Sequence, residues 1–153
     1  MGKKLNSFIA TSGGIGYLPL APGTWAAGAL AILWFFVCQK FPDTIIWQVL
    51  LACLLFIGGV YFSGKLISDK EKDPSFVVID EVAGMAVTLL FIPLAWQNFV
   101  VGFILFRFFD ILKPFGIKRM EKMRKGWGIM LDDILAGIYS NIALHLLIFY
   151  KIW

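Results

Sequence analysis

Four stretches of this sequence carry no Lys, Arg, Asp or Glu: residues 5–39, 44–64, 82–106 and 134–150. Uncharged runs of about 20 residues or more match the thickness of a bilayer core, so their spacing dictates the architecture. Composition agrees. With 59% hydrophobic and only 16% charged residues, a chain of 153 residues has too few charges to cover a water-facing globule. The surplus of apolar surface must face lipid, which selects an all-α polytopic membrane bundle. The length suggests one domain, residues 1–153.

The first stretch is too long for one simple span, and its opening half is broken by Gly13, Gly14, Gly16, Pro19, Pro22 and Gly23. The spacing therefore predicts a regular helix over 24–38, preceded by a Gly/Pro-rich interfacial or re-entrant segment. A second span falls at 44–62. Pro93 followed by Trp96, Gln97 and Asn98 reads as a turn dividing the third stretch into spans near 76–92 and 99–112. A last span runs from about 129 to 150, giving about five short spans. No cleavable signal peptide is expected, because the lysines at 3 and 4 precede a broken segment instead of a continuous apolar core.

The basic residues fix an orientation. With the N-terminus inside, inner segments hold Lys3, Lys4, Lys65, Lys70, Lys72, Lys113, Lys118, Arg119, Lys122, Arg124 and Lys125, while outer ones hold Lys40 and Lys151. This asymmetry predicts N-in, C-out. The net charge of +4 is thereby a matter of topology and of anionic lipid surface, the latter suiting the basic stretch 113–125; no nucleic-acid partner is expected. Cys38 and Cys53 lie in apolar runs without metal spacing and read as small apolar fillers.

Five acids, Asp80, Glu81, Asp110, Asp132 and Asp133, fall at the inner ends of the last three spans and should converge at one membrane depth. At helical spacing, Asp80 continues to Gly84 and Thr88, Asp132 to Ala136 and Ser140, and Asp133 to Gly137 and Asn141. Small, weakly polar residues are what closely packed membrane helices place between them, so the acids face inward. Two carboxylates about 5 Å apart repel by about 3 kcal/mol at an effective dielectric of 20. Such a cluster needs cations: Arg107, Lys113 or a hard divalent metal, Mg²⁺ or Mn²⁺ by its oxygen donors. Two plainer readings stand beside this one. Acids in a first helical turn are favoured by the helix dipole, and Asp110 can pair with Arg107 one turn earlier.

The glycine-rich segment ending at Gly23 and Thr24 offers backbone N–H groups and a hydroxyl to an anion such as phosphate; Thr24 as a plain N-cap is the alternative. His145, the only histidine, lies near the outer end of the last span and reads as structural. Without a Ser/His/Asp or Cys/His set, the chemistry that suits these groups is metal-assisted attack at phosphorus, by water or through an acid as nucleophile. A small metal-coupled transporter is the rival from another class, and a noncatalytic membrane interaction subunit a second.

Four strings carry a resemblance: GIGYLPLAPGTW at 14–25, VIDEVAG at 78–84, FRFFDILKP at 106–114 and GIMLDDILAG at 128–137. In this order the chain resembles the phosphatidylglycerophosphatase A family from about residue 12 to 140. The resemblance implies a Mg²⁺-dependent phosphatase of the bacterial inner membrane that converts phosphatidylglycerophosphate to phosphatidylglycerol and phosphate at the cytoplasmic face. It also implies that the acids and the Gly-rich loop form the site. Asp80, Glu81, Asp110, Asp132 and Asp133 are accordingly the expected metal-binding and catalytic residues, with Arg107, Lys113, Gly23 and Thr24 expected on the substrate phosphate. The sequence departs from the family pattern at Ala26, Ala27, Phe115, Gly116 and Lys125, none of which removes a carboxylate, Arg107 or Lys113.

Overall fold

The computed structural model describes residues 2–41, 45–66, 74–120, 123 and 126–152. Seven helices and one 3-10 turn account for about three quarters of it: α1 (Gly2–Ala10), the turn Ile15–Tyr17, α2 (Pro22–Lys40), α3 (Ile45–Ser63), α4 (Ile79–Thr88), α5 (Trp96–Leu112), α6 (Ile117–Met120) and α7 (Gly126–Phe149). Three of these, α2, α3 and α7, are long and apolar enough to cross a membrane. Their exposed residues confirm what their length suggests. On α3, Ile46, Leu50, Leu54, Ile57 and Tyr61 form one exposed stripe at helical spacing, and Trp127, Ile138, Ile142, Leu146 and Phe149 do the same on α7. Apolar stripes of this size would drive aggregation in water and are at home against acyl chains.

Helix α2 begins two residues before the expected start, because Pro22 takes the first helical position and Ala21, in a left-handed conformation, turns the chain into it. The segment before it contains a helix that the breakers concealed, α1. Its residues Leu5 and Phe8 are exposed while Ala10 is buried, and the Val78 N–H donates to Ala10 O at 2.9 Å. That bond ties the N-terminal segment to the chain just before α4.

The expected span at 76–92 is corrected in length: α4 has only 10 residues, about 15 Å, half a hydrocarbon core. Phe76 is taken up in ring stacking with Tyr17, and the chain leaves the helix after Thr88. A helix ending at this depth exposes carbonyls that lipid cannot satisfy. Asn141 of α7 supplies the partners, its Nδ2 donating to Thr88 O and to Leu90 O, each at 2.9 Å. The Pro93 turn then leads into α5, with Asn98 Nδ2 donating back to Pro93 O at 2.8 Å.

Helices α4 and α7 form the most extensive contact in the molecule, and glycine makes it possible. A Cβ on Gly137 would overlap the carbonyl oxygen of Gly84, and one on Gly84 would stand 2.6 Å from the carbonyl oxygen of Asp133. Only hydrogen fits at either position, so the two backbones touch. Phe106 of α5, fully buried, packs against the same glycine, and Trp34, Met85 and Leu89 extend this core toward α2.

Candidate active site

The close approach of α4 and α7 brings Asp80 and Glu81 at the start of one helix beside Asp132 and Asp133 near the start of the other. The last turn of α5 adds Arg107 and Asp110, and Lys113 follows in a left-handed conformation that ends the helix. These residues line an open cavity of about 330 Å³, together with Ala21, Pro22, Gly23, Ser75, Val77 and Ile111. Five carboxylates against two cations leave a formal excess of negative charge.

The acids fall into two groups. Asp80, Glu81 and Asp133 each offer a carboxylate oxygen, and these oxygens lie within 4.8 Å of one another. Asp110 and Asp132 are instead held by cations. Asp110 Oδ2 is 2.5 Å from Arg107 Nη1, and Asp132 Oδ2 accepts from Lys113 Nζ at 2.6 Å. The pairing of Asp110 with Arg107 one turn before it, one of the two plainer readings of the sequence, is therefore present.

Asp80, Asp110, Asp132 and Asp133 are all buried. Glu81 Oε2 is buried without a hydrogen-bond partner, an arrangement that costs free energy unless a cation or donor meets it. Three carboxylates converging on one point, one of them with an unsatisfied oxygen, is the donor set of a hard divalent cation. The residues present thus fit a metal ion.

Arg107 Nε is also buried and unbonded, although the guanidinium is anchored through Nη1. A guanidinium that lines the cavity and is anchored by a carboxylate suits a phosphate oxygen.

Gly23 sits against the acids directly. A Cβ there would overlap the Glu81 carboxylate, so the N-terminus of α2 faces the acid itself. The positive end of the α2 dipole stabilises that carboxylate. Thr24 does not line the cavity, and its N–H is spent on Ala21 O at 2.9 Å. Of the expected anion-binding pair, the structure therefore brings only Gly23 to the site. Sequence reasoning missed Ser75, Val77 and Ile111: the first two precede α4 in irregular chain, and Ile111 carries no chemical signal. His145 stands about 20 Å along α7 from Asp132, with Nδ1 2.9 Å from Asn141 O, in keeping with a structural role.

Fold and site together define a class: helical proteins with membrane-length apolar helices and a carboxylate cluster beside two cationic side chains in one cavity. Residues 8–148 match the family model of Phosphatidylglycerophosphatase A, and the chain belongs to that family of phosphatases. It is 40% identical to Phosphatidylglycerophosphatase A of Haemophilus influenzae over 88% of this chain and 83% of that protein. To Phosphatidylglycerophosphatase A of Escherichia coli K12 it is 35% identical, over 90% and 80%. A Bacteroides thetaiotaomicron protein, provisionally named a phosphatidylinositol-3-phosphatase, is 40% identical over 89% of each chain. No solved structure matches the chain.

Proposed function

We propose that the whole chain, 1–153, is one membrane-embedded enzyme that hydrolyses phosphatidylglycerophosphate to phosphatidylglycerol and inorganic phosphate, with Mg²⁺ as its cofactor. The observation that carries this reading is the convergence of Asp80, Glu81 and Asp133 oxygens beside Arg107 in one cavity. Family membership supports the reaction type and the lipid phosphate as substrate.

Asp80, Glu81 and Asp133 would hold the cation. When bound, it supplies counter-charge to the three carboxylates and Lewis acidity toward the phosphoryl oxygens. Arg107 binds a phosphoryl oxygen, kept in place by Asp110. Lys113, oriented by Asp132, adds a second positive charge where the transition state gathers negative charge. Gly23 lets the N-terminus of α2 close over Glu81, fixing that carboxylate against the cavity wall. Water attacks phosphorus opposite the glycerol oxygen and loses a proton, the phosphorus–oxygen bond to glycerol breaks, and the leaving oxygen takes up a proton in its place, so that the hydroxyl of water ends on phosphate and one proton on glycerol. Both lipid chains stay in the bilayer while phosphate leaves.

The cavity is assigned to the cytoplasmic side of a bacterial inner membrane. Lys113 lines it, whereas Lys40 ends α2 at the opposite extremity from Gly23, about 26 Å away by helix length, and Lys151 follows the far end of α7. In this arrangement α4 enters the membrane only halfway and α5 returns from the turn it makes. Anionic lipids would bind the basic inner loops, of which Lys70, Lys72, Lys122, Arg124 and Lys125 lie outside the described residues.

The test is phosphate release from phosphatidylglycerophosphate in detergent micelles, with Mg²⁺ and with EDTA, and from phosphatidylinositol 3-phosphate in parallel. Release from phosphatidylglycerophosphate that requires Mg²⁺ is the expected result. Faster turnover of the inositol lipid would reassign the headgroup, and release from neither would overturn the reading.

A further inference from the structure

We infer that the seam between α2 and α5 binds an acyl chain of the lipid phosphate whose headgroup occupies the cavity, and is the path by which that lipid enters from the bilayer. The inference rests on the lipid-phosphatase reading of the cavity and adds the subsite that selects for the lipid part.

The seam is continuous with the cavity. Gly23 and Arg107 line the cavity from the two helices. About one turn further along α2 comes Gly28, and one turn back along α5 comes Phe103; the position of a Cβ on Gly28 is 3.7 Å from the Phe103 ring. Thr24, Gly28 and Phe103 are all partly exposed, and the missing side chain at Gly28 leaves a shallow surface groove beside the Phe103 ring. Beyond it the seam closes, where the Phe35 and Phe99 rings meet edge to face at a centroid distance of 5.1 Å and Phe99 is buried. The open part from Thr24 to Ala31 is about 10 Å long.

Polarity changes along this path as it does along an amphiphile. At the cavity end stand Glu81, Arg107 and Asp110; one turn away the surfaces are glycine and phenylalanine. Exposed apolar side chains flank it, Trp25 and Ile32 on α2 and Ile104 and Ile111 on α5. Ile111 belongs to both surfaces, lining the cavity while being 68% exposed. Because α2 is long and apolar enough to cross the membrane and begins at the cavity, the seam descends from the headgroup site into the hydrocarbon. A phosphate drawn into the cavity leaves its glycerol backbone at Ile111 and its chain directed along Gly28. The continuity of polar cavity and apolar furrow fits one diacyl lipid phosphate and not a soluble phosphomonoester.

The experiment compares phosphate release from long-chain phosphatidylglycerophosphate and from its deacylated counterpart, in wild type and in Gly28→Leu, which fills the furrow beside Phe103. The ratio of kcat/KM for the lipid over the deacylated substrate is expected to fall at least tenfold in Gly28→Leu. In Leu54→Trp, on the exposed stripe of α3, that ratio should stay as in wild type. A second measurement needs no variant: phosphatidylglycerophosphate bearing a photoreactive group early in its acyl chain should label wild-type protein within 24–32 and 99–111, and excess unlabelled lipid should suppress the labelling. An unchanged ratio in folded Gly28→Leu, or labelling confined to α3, overturns the seam. Wild-type protein that releases phosphate from neither substrate overturns the phosphatase reading, and the seam falls with it.

Discussion

A single added methyl group measures how tightly the cavity is built. Gly23→Ala would push a Cβ into the Glu81 carboxylate, and the neighbour is a charged group packed against a helix end instead of a side chain with room to swing. This substitution should lower kcat at least about tenfold while leaving the circular dichroism spectrum unchanged, since a misplacement of about 1 Å in a catalytic group costs far more in rate than in stability. The two kinds of acid should also separate. Asp133→Asn removes a member of the three-carboxylate cluster and should weaken Mg²⁺ activation by about 100-fold or more. Asp110→Asn loosens Arg107 and should chiefly raise KM, with a much smaller change in the Mg²⁺ requirement. Equal Mg²⁺ dependence in the two variants would contradict the division. All five acids were legible from their rarity and position in an uncharged chain. The pairing of Asp110 with Arg107 was legible too, from their spacing of one turn on α5, whereas that of Asp132 with Lys113 was not, because it depends on how α7 is set against the end of α5.

Among the elements, α4 carries the most consequence for its length. Its ten residues hold two of the acids, and its far end stops at Thr88 and Leu89, both buried within the fold. Asn141→Leu would strip Thr88 O and Leu90 O of their donor and should destabilise the protein by about 1 to 3 kcal/mol, read as a lowered Tm in detergent. A Tm equal to wild type would mean that the helix end is satisfied another way. The sequence marked Asn141 as one of the small polar residues below Asp133, yet nothing in it told that the residue caps another helix. The long spans were legible because apolar length alone defines them. The short α4 was overestimated because apolar residues continue through 89–92, where the backbone has already left the helix. Helix α1 went unread for the opposite reason: its nine residues are outweighed by the glycines that follow, and tertiary contact with Val78 helps to hold it in place.

At the scale of the whole molecule, the basic residues and the exposed apolar stripes make one statement about placement. With Cys38 and Cys53 replaced by Ala, a cysteine introduced by Lys118→Cys should react with a membrane-impermeant maleimide only in inside-out vesicles, and one introduced by Lys151→Cys only in right-side-out vesicles. Reaction of Lys118→Cys from the outer side would invert the proposed orientation and move the cavity with it. Asp80, Glu81 and Asp133 are proposed as one divalent-cation site, and the dependence of phosphate release on that site is open to direct measurement. It is tested most directly by titrating purified protein with Mn²⁺, measuring bound ion by electron paramagnetic resonance and phosphate release in the same samples. Binding and turnover should rise together in wild type, and both should be lost in Asp80→Asn. Full turnover with no bound ion, or undiminished Mn²⁺ binding in Asp80→Asn, would contradict the proposed site.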